Sequence, residues 1–159
     1  MIFVTLGTHE LPFIRLLFEV ERILKGGLLS ERVVAQIGKT PFKSEYFELF
    51  NFVQPDVFEE YFKEADIIIS HGGVGSLIKG IRMGKKMIAA ARLKKFGEHN
   101  DDHQKQIIKE FKKLGYICEW EEDIDLSKVI LECKSFTPNG FVSYKEELLE
   151  FIEQFINKI

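Results

Sequence analysis

The sequence predicts an α/β fold in which one parallel sheet carries helices on both faces, and three observations point to it. Short runs that are apolar and mostly β-branched or small alternate with longer runs of helical periodicity. Two of the short runs empty into glycine-containing turns that lead directly to a predicted helix. The length, 159 residues, suits one domain with a sizeable core. Alternation of this kind implies parallel strands, because a parallel pair needs a crossover that packs a helix on the sheet.

In chain order, residues 2–6 form the first expected strand. Residues 11–24 follow as a helix with Leu16, Leu17, Val20, Ile23 and Leu24 on one stripe. Residues 33–37 read as a strand, 57–64 as a helix, 66–70 as a strand, 75–83 as a helix and 87–91 as a strand. A longer helix is expected over 101–114, started by Asp101 or Asp102 as cap and ended by Gly115 in the left-handed position. Residues 116–120 supply an edge strand. A last helix over 143–158 places Leu148, Leu149, Ile152, Phe155 and Ile156 on a face that closes over the sheet. No repeat or interdomain linker interrupts the pattern, so residues 1–159 read as a single domain, with polar functional loops at 38–44 and 93–100.

Composition narrows the function classes. Apolar residues make up 45% of the chain and charged residues 30%, which is a globular balance. The formal charge of -3 lacks the concentrated basic surface that nucleic-acid binding requires. Cys118 and Cys133 have neither metal-ligand nor redox-motif spacing, which fits reduced thiols and a cytoplasmic location. The N-terminal stretch reads as a strand and not as a signal peptide, and no apolar run is long enough to span a bilayer.

The strongest local signal is the run from Asp66 through Ser70 into His71, Gly72, Gly73, Val74, Gly75 and Ser76. It is a buried strand, a glycine-rich turn and a helix start in succession. Glycines let backbone N–H groups approach an anion, and the helix N-terminus favours negative charge there. His71 can donate to a phosphate oxygen or titrate near neutrality, and Ser76 can cap the helix or donate beside it. A tight turn with a satisfied histidine is the plainer alternative.

A second junction, Leu6, Gly7, Thr8, His9 and Glu10, precedes the first helix. A doubly wound sheet would bring it beside the first junction, at the carboxyl ends of the strands where ligands bind. Thr8 is a candidate helix cap and phosphate contact, and His9 a candidate for the reaction centre. The third element is the segment from Arg92 to Gln104. Its Arg92, Lys94 and Lys95 can neutralise phosphate, and Asp102, His103 and Gln104 carry the mixed donors and acceptors that sugar hydroxyls need. A solvated charged loop is the competing reading of that segment. A metal held by His99, His103 and nearby aspartates lacks a compact third ligand, so no metal and no cofactor is expected.

On these residues the chain resembles the C-terminal, donor-binding domain of family-28 glycosyltransferases, which is the C-terminal half of a GT-B enzyme with a Rossmann-like sheet. The resemblance covers nearly the whole chain. It is nearest to the small PssE-like exopolysaccharide and capsule glycosyltransferase subunits, through the segment 92–104. It is similar also to the cytosolic subunit of the dolichol-pathway UDP-N-acetylglucosamine transferase. The resemblance implies that His71, Gly72, Gly73, Gly75 and Ser76 hold the UDP diphosphate and that Asp102, His103 and Gln104 face the donor sugar. One departure stands out. Lys79 occupies a position where many relatives carry a glutamate that accepts hydrogen bonds from ribose, and lysine has no acceptor.

Because the first strand starts at the first residue, the acceptor-binding half is expected on a separate, membrane-anchored, PssD-like partner that recruits this chain to the inner face of the membrane. The expected reaction is transfer from UDP-galactose or UDP-N-acetylglucosamine to a lipid-linked sugar acceptor, with inversion. Helix N-termini and His71 would stabilise the departing diphosphate, and His9 is the candidate base in this chain, with the partner subunit the other place for that base. The competing readings are a noncatalytic nucleotide-sugar-binding or enhancer subunit and, more remotely, a dinucleotide oxidoreductase, which the lack of GxGxxG at the first turn disfavours.

Overall fold

The computed structural model describes residues 1–141, so the helix expected over 143–158 lies outside the described residues. Six strands form one sheet: β1 (Ile2–Thr5), β2 (Val33–Gln36), β3 (Glu48–Phe50), β4 (Ile67–His71), β5 (Lys86–Ala90) and β6 (Cys118–Trp120). Their spatial order is β3-β2-β1-β4-β5-β6, and all neighbours are parallel. The helices are α1 (Ile14–Lys25), α2 (Pro55–Glu64), α3 (Val74–Arg82), α4 (His103–Lys113) and α5 (Leu126–Ser135).

The strand pattern explains the two layers of helix. Within β1 and its extension, Ile2, Val4 and Leu6 join the core under α1 and α5, while Phe3 points to the opposite core with Phe62 of α2, Leu77 and Ile81 of α3, and Ile108 and Phe111 of α4. Alternate side chains face opposite sides of a strand, so a strand apolar at every position is buried on both faces, as parallel strands require. Sheet growth reverses direction between β1 and β4. With right-handed crossovers, that reversal sends the helices that follow the two strands to opposite faces.

Two elements depart from the sequence expectation. β3 is an edge strand of three residues whose register is Val34 to Glu48, Ala35 to Leu49 and Gln36 to Phe50. It has no β-branched residue and is only partly buried, so hydropathy gives it little contrast. α5 was not anticipated, although Leu126, Val129, Ile130 and Cys133 are spaced for one helix face and the Asp125 carboxylate accepts the Ser127 N–H at 2.9 Å as a cap. It packs on the face shared with α1.

The start of α4 refines the expected cap. Asp101 Oδ1 accepts the His103 N–H at 3.0 Å, whereas Asp102 Oδ1 turns back to the Lys94 N–H at 2.9 Å and ties the preceding loop. Gly115 has φ +73° after the last turn, the left-handed stop that its position implied.

Candidate functional site

The pairing of β1 with β4, Thr5 opposite Ser70, places the two glycine-containing junctions side by side at the carboxyl edge of the sheet. β5 pairs with β4 up to His71 opposite Ala90, which adds the segment that starts at Arg92. The reversal of strand order falls between β1 and β4, the place where open α/β sheets receive ligands. All four histidines of the chain gather at these three connections: His9 and His99 within them, His71 as the last residue of β4 and His103 as the first of α4.

His71 ends β4, and its ring is seated between two glycines. A Cβ on Gly7, which has φ +69°, would come within 2.6 Å of His71 Nε2, and a Cβ on Gly73 would overlap the same nitrogen. These glycines are therefore required by the imidazole as well as by backbone geometry. Gly72 serves a different neighbour. A side chain there would meet Gln104 Cβ at 2.8 Å and Ile108 Cδ1 at 2.9 Å, so α4 can approach the turn only because that residue is glycine. Gly75, the second residue of α3, opens to free space, and Ser76 follows it half-buried.

Burial, reinforced by Arg92, pushes the His71 imidazole down to about 4. The ring is thus neutral at physiological pH and does not titrate near neutrality as the sequence suggested. His71 Nδ1 is buried without a hydrogen-bond partner among the described residues.

Arg92 was expected to present its charge to phosphate; instead it is 1% exposed and bound to backbone. Its Nη1 donates to the carbonyls of Leu11 at 2.7 Å and Glu98 at 3.3 Å, and its Nη2 donates to the carbonyl of Leu6 at 2.8 Å. The guanidinium lies 5.0 Å from the centre of the Phe13 ring, and burial pushes it down to about 10, which leaves it charged. Its backbone N–H donates to Gln104 Oε1 at 3.0 Å. Gln104 therefore has its acceptor committed and its amide N–H groups left to donate.

Glu98 is buried as well. Its carboxylate takes Arg15 Nε at 3.0 Å, Arg15 Nη2 at 2.9 Å and the Leu93 N–H at 3.0 Å. Arg15 also donates to the Ala91 carbonyl at 2.9 Å and lies about equally close to the rings of Phe13, Phe96 and Trp120. Arg15 alone pairs with the Glu98 carboxylate, while Arg92 is held by main-chain carbonyls and feels that carboxylate only through space. Two guanidinium charges thus stand against one buried carboxylate and leave a positive potential at the carboxyl edge.

His9 Nδ1 accepts the Leu11 N–H at 3.1 Å, and its ring packs on His99 with centroids 4.8 Å apart. Thr8 is exposed and does not cap α1, which begins only at Ile14 with no side-chain cap. Thr40 on the connection after β2 takes the Phe13 N–H instead, at 3.1 Å. Lys79 of α3 is paired with Glu59 of α2 and lies 5.0 Å from the ring centres of both Phe58 and Phe62.

Sequence reasoning missed Arg15, Thr40 and Glu98 and weighed His99 only as a metal ligand. The available signal for the first was an arginine beside the apolar stripe of α1, matched by a glutamate in a loop predicted to lie near it. Among the described residues no group of His, Cys, Asp and Glu side chains converges as a metal site, and no helix is long and apolar enough to cross a membrane. A concavity of about 360 Å³ at the opposite edge is lined by Met1, Asp66, Glu31 and Lys134, whose charges pair with one another, so it offers no comparable chemistry.

The family model for the glycosyltransferase family 28 C-terminal domain matches residues 1–158. Among curated proteins, the UDP-N-acetylglucosamine transferase subunit ALG13 of Mus musculus is 31% identical over 83 residues, 49% of this chain and 7% of that protein. Its namesake from Candida glabrata is 41% identical over 54 residues, 33% of this chain and 24% of that protein. The chain therefore matches a small part of these curated relatives. Among solved structures, the solution structure of ALG13 has a TM-score of 0.59 at 18% identity and covers 94% of this chain and 93% of that one. MurG of Acinetobacter baumannii has a TM-score of 0.58 at 13% identity over 96% of this chain and 49% of that one. Both structures share the fold.

Two stability measurements follow from the buried groups. A histidine held near 4 in the native state and near 6.5 when unfolded binds its proton first in the unfolded chain. Stability is then fully present above about pH 6.5 and falls as pH drops toward 4, by up to about 3 kcal/mol. Urea unfolding of the wild type should weaken more steeply over this window than that of His71→Gln, and parallel curves would refute neutral burial. Arg92→Lys, which cannot span the carbonyls of Leu6, Leu11 and Glu98 together, should lower unfolding stability by about 2–4 kcal/mol. A loss under about 0.5 kcal/mol in the same urea assay would mean that the guanidinium does not join the loops.

Proposed function

The chain belongs to the glycosyltransferase family 28 C-terminal domain family, and we propose that it is the donor-binding catalytic subunit of a heteromeric UDP-sugar glycosyltransferase. The observation that carries this reading is the buried Arg92 guanidinium, whose charge acts on His71 at the glycine-rich turn while Arg15 holds the Glu98 carboxylate. It keeps a positive potential beside the N-terminus of α3, where a nucleoside diphosphate would lie. Curated relatives named UDP-N-acetylglucosamine transferase subunits support UDP-N-acetylglucosamine as donor, with UDP-galactose the other candidate.

In this reading Gly7, Thr8, Gly72, Gly73, Gly75 and Ser76 surround the diphosphate, and neutral His71 donates a hydrogen bond to it without changing charge. The donor sugar faces Asp102, His103 and Gln104, with the amide of Gln104 aimed by the bond from its Oε1 to the Arg92 N–H. Arg92 acts from behind: its field lowers the energy of the charge that grows on departing UDP, while its hydrogen bonds hold the loops. A membrane-anchored PssD-like subunit supplies the lipid-linked sugar acceptor and brings this chain to the cytoplasmic face of the membrane. The pathway is exopolysaccharide or capsule synthesis.

Calorimetric titration tests the reading. UDP and one UDP-sugar should bind the purified chain or its complex with the partner, and NAD should not. His71→Ala should weaken UDP by about tenfold. Absence of uridine-nucleotide binding in either state overturns the proposal. Binding without transfer by the mixed subunits would instead make the chain a noncatalytic nucleotide-sugar module.

Gln104→Glu keeps an acceptor for the Arg92 N–H but removes the amide donors and adds negative charge. UDP-sugar affinity should fall about tenfold with little change in thermal midpoint. Unchanged affinity would take Gln104 out of the sugar site.

A further inference from the structure

His9 was identified from the sequence as the candidate base, and its hydrogen bonding points to another role. A base needs a free lone pair facing the hydroxyl it deprotonates. Of the two imidazole nitrogens, Nδ1 accepts the Leu11 N–H at 3.1 Å, and a nitrogen that accepts is unprotonated. In the neutral ring the proton therefore sits on Nε2, which leaves that nitrogen a donor and no lone pair available.

The charges around His9 point to what such a donor would meet. Burial, then Arg92, then His99 disfavour the imidazolium, while Glu10 and Asp101 act in the opposite sense, and the balance is a lowered pKa. The buried carboxylate of the 93–100 loop, Glu98, is already held by Arg15. A neutral N–H donor in the field of an arginine that is bound to main-chain carbonyls is suited to an anion.

His99 completes the arrangement. Its ring packs against His9 at 4.8 Å with an interplanar angle of 33°. Its own Nδ1 accepts the Asp101 N–H at 3.2 Å, and Asp101 Oδ1 lies 3.2 Å from the same nitrogen while it also accepts the His103 N–H at the start of α4. The orientation of the His9 ring is thereby tied to the helix whose first turn carries His103 and Gln104.

We infer that His9 donates a hydrogen bond through Nε2–H to an anionic oxygen of a bound nucleoside diphosphate, that His99 is a positioning residue for it, and that His9 is not the base. The inference rests on the donor-binding reading above. It adds the His9 side chain to Gly7 and Thr8 on the β1–α1 connection and moves deprotonation of the acceptor hydroxyl to a group other than His9.

Long-range ¹H–¹⁵N spectra of the full chain near neutral pH read the tautomer directly. A protonated Nε2 and an unprotonated Nδ1 on His9 are expected, and the reverse pattern overturns the inference with no ligand present. UDP and inorganic pyrophosphate should then shift His9 Nε2, whereas uridine should not. If UDP shifts His71 and Gln104 but leaves His9 unmoved, the inference falls and the donor site stands. If neither UDP nor pyrophosphate moves any resonance, the donor reading falls and takes the inference with it.

Two variant pairs separate donor from base. His9→Gln retains an amide donor and should bind UDP within about threefold of wild type, while His9→Phe should bind about tenfold more weakly. Equal, wild-type UDP affinity in both, with turnover of the reconstituted enzyme abolished in both, is the pattern of a base and overturns the assignment. His99→Phe preserves ring packing and should keep the His9 response to UDP, whereas His99→Ala should diminish it. Identical responses from the two would remove His99 from the positioning role.

Discussion

The carboxyl edge of this domain depends on one buried guanidinium. Arg92 leaves the end of β5 and reaches back under the first junction, where its hydrogen bonds join the Leu6 and Leu11 carbonyls to the Glu98 carbonyl of its own loop. Its main chain is held from the other side by Gln104. Two loops that are far apart in sequence and the start of α4 are thus referred to a single residue. Burying a charge is costly unless its hydrogen bonds are satisfied. Here two of the three guanidinium nitrogens find carbonyls, and Nε does not. A charged group kept in so demanding a place makes electrostatic sense where an anion is to be bound.

The remaining polar groups follow the same division between support and contact. Arg15 and Glu98 hold the loop from below, with the Arg15 guanidinium packed among Phe13, Phe96 and Trp120. Nearer the edge, His71 is kept neutral by burial and by the Arg92 charge, and His9 has its Nδ1 occupied. Positive charge is supplied from a protected layer, and the groups above it offer neutral donors. Such an arrangement stabilises negative charge without proton exchange with solvent, which is the logic of preorganised electrostatics.

Much of this was legible from sequence because it lay in periodicity and in glycine placement. The runs of isoleucine and valine marked β1, β2, β4 and β5, and the strand-turn-helix order around Gly72 and Gly73 pointed to the carboxyl edge where the two glycine-containing junctions meet. Hydropathy could not reveal β3, whose Glu48, Leu49 and Phe50 sit on a half-exposed margin. Nor could local pattern assign Arg92 to the interior. An arginine followed by Leu93, Lys94 and Lys95 looks like a solvated basic run, and only the long-range meeting of that loop with Leu6 and Leu11 buries the first of the three cations. The glycines were read as room for an anion. At Gly7 and Gly73 the room is used first by the His71 ring, and at Gly72 by α4.

Lys79 carries a consequence for how α2 and α3 can vary. Its ammonium is stitched to the Glu59 carboxylate and sits against Phe58 and Phe62, so its identity is shared between two helices. Changing it alone to glutamate would set two carboxylates together and strip the aromatic rings of their cation. A glutamate at 79 would therefore call for replacement of Glu59 as well. Residues 59 and 79 act as one unit, and the composition of α2 constrains what α3 can carry at that position.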